Sequence, residues 1–194
     1  TLPIARVLSR MDQRFRLLKR RGGRGRQATL EAALEWSWDL LSLEAQQTLA
    51  ALTVFHTSVS FEDAESVVAA VPGAPWVDEV LDELLRHHML RRVDDGTDGG
   101  RFDLYVSVRA FAELRRHAVL SDADWEAINT SHARWAARFG VLGVQWTDAV
   151  ERLDHLAAVV GHHRADLLAA LDHALHCRDI STACQVALGL AHVA

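Results

Sequence analysis

The sequence predicts a mainly α-helical chain carrying one small β-hairpin, and three observations carry that reading. Only three prolines and eleven glycines punctuate 194 residues, and apolar side chains recur at three- and four-residue spacing over most of the length. One pair of short extended stretches is separated by a run of turn residues. Apolar residues make up 49% and charged residues 24%, which excludes intrinsic disorder and low-complexity chains. No apolar run approaches the ~20 residues that span a bilayer, so a soluble, cytoplasmic protein with no membrane partner is expected. Cys177 and Cys184 are the two cysteines, too few for a disulfide framework, and reduced thiols are expected.

Taken in order, Ile4, Val7, Leu8, Met11, Phe15 and Leu18 mark a first short helix with one apolar face. Arg21-Gly22-Gly23-Arg24-Gly25-Arg26 follows as a basic linker. Residues 1–26 therefore read as the last helix of a preceding domain plus that linker. A helix from Thr29 presents Leu30, Ala33, Leu34, Ser37, Trp38 and Leu41 on one face, with Trp38 expected in the winged-helix core and Trp36 facing a neighbouring element. Ser42 restarts the count for a helix through Leu49 and Leu52, and Ser60 with Asp63 forms a capping box for the next. Pro72-Gly73-Ala74-Pro75 stops that helix before another through Val77, Val80, Leu81 and Leu84. Met89–Val93 and Arg101–Val106 then form a hairpin around a loop rich in Asp and Gly, and Ser107 is expected to cap the helix leaving it. Helices, a hairpin and a further helix make the order of a winged-helix domain, assigned to residues 27–118.

Residues 119–194 read as helices only. Ser121 and Asp124 repeat the capping signature, and Trp125, Ile128, His132, Trp135 and Phe139 form a stripe suited to a core, interrupted at Gly140 and Gly143. Helices near Asp148–Gly161 and Arg164–His176 lead to a last one, apolar through Ala187-Leu188-Gly189-Leu190-Ala191. A truncated helical array is expected, exposing apolar surface at both ends.

Several blocks carry a resemblance. They are Asp12-Gln13-Arg14-Phe15-Arg16-Leu17-Leu18, Thr29 through Ser42 with its Trp36-Ser37-Trp38-Asp39-Leu40-Leu41 core, Leu52-Thr53-Val54-Phe55, Phe61-Glu62-Asp63-Ala64-Glu65, and Arg101-Phe102-Asp103-Leu104-Tyr105 running into Val108-Arg109-Ala110-Phe111-Ala112. Together they resemble the segment after the nucleotide-binding core in bacterial STAND-type, NB-ARC-related signalling ATPases attached to transcriptional regulators. Arg164 through Leu175 is similar to the opening of the tetratricopeptide-like array of that family. The resemblance implies a switch in which a winged helix clamps a nucleotide-binding core, an intramolecular partner, while the array senses a protein or small-molecule effector. It implies ATP or ADP with Mg²⁺ in the parent protein. In relatives a histidine near the end of the second hairpin strand touches the nucleotide phosphate. The matching position here is Tyr105, followed by Val106 where an acid is usual.

The residues themselves supply no catalytic group. No G-x-x-x-x-G-K-[S/T] loop exists in the chain, so neither ATP hydrolysis nor a cofactor is expected of it, and no Ser-His-Asp or Cys-His-Asn arrangement stands out. The helix before the hairpin carries Asp78, Glu79, Asp82 and Glu83 against Arg86, an acidic face that repels a phosphate backbone, so DNA binding is not expected. The alternative is a DNA-binding winged-helix regulator with a helical dimerisation tail. His173, His176 and Cys177 with Cys184 raise the question of zinc, but Cys184 lies beyond Arg178-Asp179 and ordinary packing is expected, with no metal site. His162-His163 and His87-His88 fall at helix ends, where a cation suits the macrodipole.

Overall fold

The computed structural model describes residues 26–94, 100–145 and 157–191. The expected helix over 4–18, the basic linker up to Gly25, the hairpin tip at 95–99 and most of the helix expected from Asp148 lie outside these residues. The chain divides into two compact units, the first ending at Asp39 and the second beginning at Leu40.

Within the first unit, α1 spans Arg26–Asp39. Trp38 is 5% exposed, whereas Trp36, two positions earlier and so on another side of the helix, is 68% exposed and is not covered by a neighbouring element among the described residues, a correction to that expectation. Leu41 of the expected face, already in the second unit, is buried too, but the earlier turns depart from expectation, because Leu30 and Ala33 are exposed and Leu34 is half-buried.

The second unit opens with α2 (Leu43–Ala51), whose cap is Ser42, its hydroxyl accepting from Ala45 N–H. A 3-10 turn, Leu52–Val54, continues it, and α2 buries Ala45, Leu49, Ala50 and Ala51. The expected capping box opens α3 (Phe61–Val68): Ser60 Oγ accepts from Asp63 N–H at 3.1 Å and Asp63 Oδ2 accepts from Ser60 N–H at 3.2 Å. After the turn at Pro72–Pro75, where Gly73 takes φ +84°, α4 (Val77–Arg86) buries Val77, Val80, Leu81 and Leu84 on one face. That spacing is what amphipathic helices bury against a core.

β1 (Arg91–Val93) pairs antiparallel with β2 (Arg101–Asp103) in the register Arg91↔Asp103, Arg92↔Phe102, Val93↔Arg101. The other edge of β2 is bonded to Val59, with Val59 N–H donating to Phe102 O and Phe102 N–H to Val59 O at 2.9 and 2.7 Å. The hairpin is thus fastened to the segment between α2 and α3. Next comes α5 (Val106–Val119), whose cap residue is Tyr105 and not Ser107. This is a correction to the expected boundary: β2 ends at Asp103, so Leu104, Tyr105 and Val106 fall outside the strand. Arg109 of α5 reaches back to donate Nη1 to Thr53 O at 3.0 Å and to Phe55 O, satisfying carbonyls at the buried end of the 3-10 turn. Burial lowers the pKa of this guanidinium, offset in part by Glu113, Asp103 and Asp166.

A single long helix, α6 (Asp122–Gln145), follows Ser121, which exchanges hydrogen bonds with Asp124 as expected. It runs unbroken through Gly140 and Gly143, correcting the expected interruption. The reason lies in packing. A Cβ on Gly140 would sit 1.9 Å from the carbonyl oxygen of Gln185, so only glycine lets the last helix, α8 (Ile180–Ala191), approach so closely. Residues 157–162 are helical, and α7 (Arg164–His176) has the bounds the sequence predicts. α6, α7 and α8 pack on one another, and the expected stripe supplies the core through Ile128, His132, Trp135 and Phe139. At the far end Leu188 is exposed, as expected of the apolar terminus.

Candidate functional site

Two surfaces of the second unit carry candidate function: the outer face of α4 with the hairpin beside it, and the polar junction that ties this region to the helices that follow. On α4, Asp78, Glu79 and Asp82 are exposed. Arg86, the lone basic residue of the helix, pairs with Asp82 at 3.0 Å, one turn away. Glu83 is committed elsewhere, accepting from Ser42 N–H at 2.6 Å and from Ser42 Oγ at 2.8 Å, so its carboxylate braces the start of α2. Trp76, at the cap position of α4, is 78% exposed.

In the hairpin, Arg91 donates Nη2 to Asp103 Oδ2 at 2.6 Å and lies over the Tyr105 ring, 5.1 Å from its centroid. Tyr105 is half-exposed and so accessible at the position that the resemblance marks for nucleotide contact.

The junction is built on two carboxylates. Asp63 at the start of α3 accepts Trp135 Nε1–H of α6 at 2.6 Å, while Arg138 Nη2 stands 3.3 Å from the same oxygen. Burial works against its charge, but the hydrogen bonds from Trp135 and Ser60 outweigh it and hold the pKa below the usual carboxylate value. Asp166, in the first turn of α7, is fully buried. It accepts the His56 backbone N–H, the Thr57 hydroxyl and, at 3.1 Å, His163 Nδ1. Burial again raises the carboxyl pKa while these donors lower it, and the donors win.

Arg101 of β2 joins the two halves: Nη2 donates to Ser58 O at 2.5 Å, lies 3.0 Å from His163 Nε2 and 3.8 Å from Asp63 Oδ2. A guanidinium only donates, so His163 Nε2 accepts, which turns the Nδ1 proton toward Asp166. This revises the expected role of His163: it is buried inside a bonded network and does not sit as a solvated cation at a helix end. A hydroxyl, an imidazole and a carboxylate meet here, yet the Thr57 proton goes to Asp166 and Arg101 occupies the other imidazole nitrogen. The arrangement fastens segments together and does not activate a nucleophile.

Sequence reasoning singled out Asp63 as a cap and His163 as a helix end, and missed Asp166 and Arg101. The i, i+3 spacing of His163 and Asp166 was the available signal. Of the metal candidates, the structure brings His173 and Cys177 together and adds Glu126 from α6, whereas Cys184 lies apart from this cluster. Both cysteines are free thiols.

The order of α2, α3, α4, the hairpin fastened through Val59, and α5 matches a known domain. Residues 41–117 match the family model of a winged helix-turn-helix domain. No curated protein and no solved structure gives a significant match to the chain. The winged helix supports a regulatory role, exercised on DNA or on protein, and α4 is the helix that precedes its hairpin. Among the described residues no helix is long and apolar enough to cross a membrane.

Proposed function

We propose that this chain is a regulatory protein-interaction module, in which the winged helix docks on protein and the following helices hold it in place. The observation that carries this reading is the reading helix itself. Its exposed side offers Asp78, Glu79 and Asp82, its lone arginine is paired, and Glu83 is occupied by Ser42. Such a surface gains nothing from counterion release and is repelled by phosphates. The acidic side instead suits a basic protein surface.

The finer reading follows the resemblance. The module belongs after the nucleotide-binding core of a STAND-type signalling ATPase, coupling that core, which binds ATP or ADP with Mg²⁺, to a tetratricopeptide-like array that senses an effector. Tyr105 faces the core in that reading. In that reading the nucleotide and its hydrolysis belong to the core, and this module transmits the change of state. Reading the coding sequence upstream of Thr1 for a phosphate-binding G-x-x-x-x-G-K-[S/T] loop tests the finer assignment directly.

The second reading, a DNA-binding regulator, is favoured by the winged helix-turn-helix match. Fluorescence anisotropy with a labelled mixed-sequence duplex at low salt separates the two. The expected result is no saturable binding by the parent, with salt-dependent binding gained when Asp78, Glu79 and Asp82 are all replaced by Lys. Tight, salt-dependent binding by the parent overturns the protein-docking reading.

A further inference from the structure

A second site lies away from the winged helix, where the start of α6 meets the end of α7. Glu126 projects from α6, and His173 and Cys177 stand one turn apart where α7 ends, Cys177 being its cap residue. Cys177 Sγ lies 3.0 Å from Glu126 Oε1 and 3.6 Å from His173 Nε2, and that nitrogen lies 3.9 Å from the same carboxylate oxygen. A zinc ion bound at about 2.3 Å by sulfur and about 2.0 Å by nitrogen or oxygen requires tetrahedral ligand edges of about 3.3–3.6 Å. The three separations straddle that range, so small side-chain rotations make them equal to it.

The donor set is a thiol, an imidazole and a carboxylate. This combination favours a borderline-soft divalent cation over Mg²⁺ or Ca²⁺, which prefer oxygen alone. The i, i+4 spacing of His173 and Cys177 directs both side chains to one face of α7, the face turned to α6. Glu126 and Cys177 are exposed, leaving an open approach from solvent, and Thr130 Oγ1 lies 3.4 Å from His173 Nε2 as a further oxygen beside the cluster.

We propose that Glu126, His173 and Cys177 form a three-ligand site for Zn²⁺, with water completing the tetrahedron, that clips the start of α6 to the end of α7. On binding, the Cys177 S–H bond breaks as the S–metal bond forms; the proton leaves to solvent and nothing is oxidised.

The test is a Co²⁺ titration of the reduced, untagged 194-residue chain after chelator treatment. One equivalent is expected to produce a thiolate-to-cobalt charge-transfer band with visible bands of four-coordinate intensity, both displaced by Zn²⁺. Cys177→Ser is expected to abolish the charge-transfer band, and Cys184→Ser and His176→Gln to leave it unchanged. Glu126→Gln and His173→Gln are expected to weaken binding at least about tenfold, a loss that removing even an outer-shell partner causes. All five positions border solvent, and circular dichroism of each variant confirms its fold. A parent without a thiolate band overturns the proposal. So does a band that survives Cys177→Ser or is lost with Cys184→Ser, and so does unchanged affinity in both Glu126→Gln and His173→Gln.

Discussion

Trp135 Nε1 donates to Asp63 Oδ1 at 2.6 Å, so a buried tryptophan of α6 is satisfied by the same carboxylate that closes the capping box of α3. One side chain thereby terminates a helix and holds a second helix against it. Its removal should cost more than a cap alone. Asp63→Ala is expected to lose about 2–4 kcal/mol, combining a cap of about 1 kcal/mol with a charge-assisted hydrogen bond. Trp135→Phe, which keeps most of the ring packing, is expected to lose less. Urea melts of both variants against the parent check the order.

Gly140 and Gly161 should respond in opposite directions to alanine. At Gly140 the added carbon meets the Gln185 backbone, and α8 must move away, at a cost of about 1–3 kcal/mol or more. At Gly161, in the helical stretch before His163, nothing stands within 4 Å. Alanine there should gain about 0.5–1 kcal/mol from helix propensity. Thermal melts of the pair provide the comparison.

His132 gives the fold a pH dependence of definite sign. It is buried among Phe55 and Trp135, stacked on the latter at 5.2 Å, and its Nε2 has no hydrogen-bond partner among the described residues. Burial pushes its pKa down from 6.5 to about 4. The unfolded chain therefore takes up this proton first as pH falls. Stability from this residue is complete above about pH 6.5, declines between about 6.5 and about 4, and is constant below, a total of about 3 kcal/mol. His132→Phe should flatten the stability profile across that window, measured by denaturant titration at several pH values.

Trp38 and Trp36 supply an internal control for α1. Trp38→Ala is expected to cost about 3–5 kcal/mol, as large buried truncations do. Trp36→Ala should stay within about 0.5 kcal/mol of the parent, as exposed positions do. Equal effects of the two in urea melts would overturn the burial assignment.

What was legible in the sequence was local. Ser42, Ser60 with Asp63, and Ser121 with Asp124 announce helix starts because a cap needs only its own next three residues, and α7 carried its stop in Arg178-Asp179. The hairpin followed from alternation around turn residues. The start of α5 was misplaced because Ser107 is as good a cap by composition as any, while the chain turns two residues earlier at Tyr105. Gly140 looked like a break because its meaning depends on Gln185, which spacing alone does not bring near. Asp166 bonds to His56 and Thr57 across more than a hundred residues, and Glu126 joins Cys177 across fifty-one. No periodicity encodes such meetings; they follow from how the helices stack.

The sheet has a consequence for how this molecule behaves in a crowd. β2 is bonded on both sides, to β1 and to Val59, whereas among the described residues β1 has a ladder partner on one side only. An unpaired strand edge is a template on which another chain can add a strand and begin an aggregate. Here the vulnerable edge is three residues long and carries Arg91 and Arg92, whose guanidinium groups fold over Tyr105 and Phe102, Arg91 being paired with Asp103 and Arg92 exposed at the rim. A brief, positively charged border of this kind turns away identical copies of itself, so the wing can stay open to solvent without seeding intermolecular β-structure.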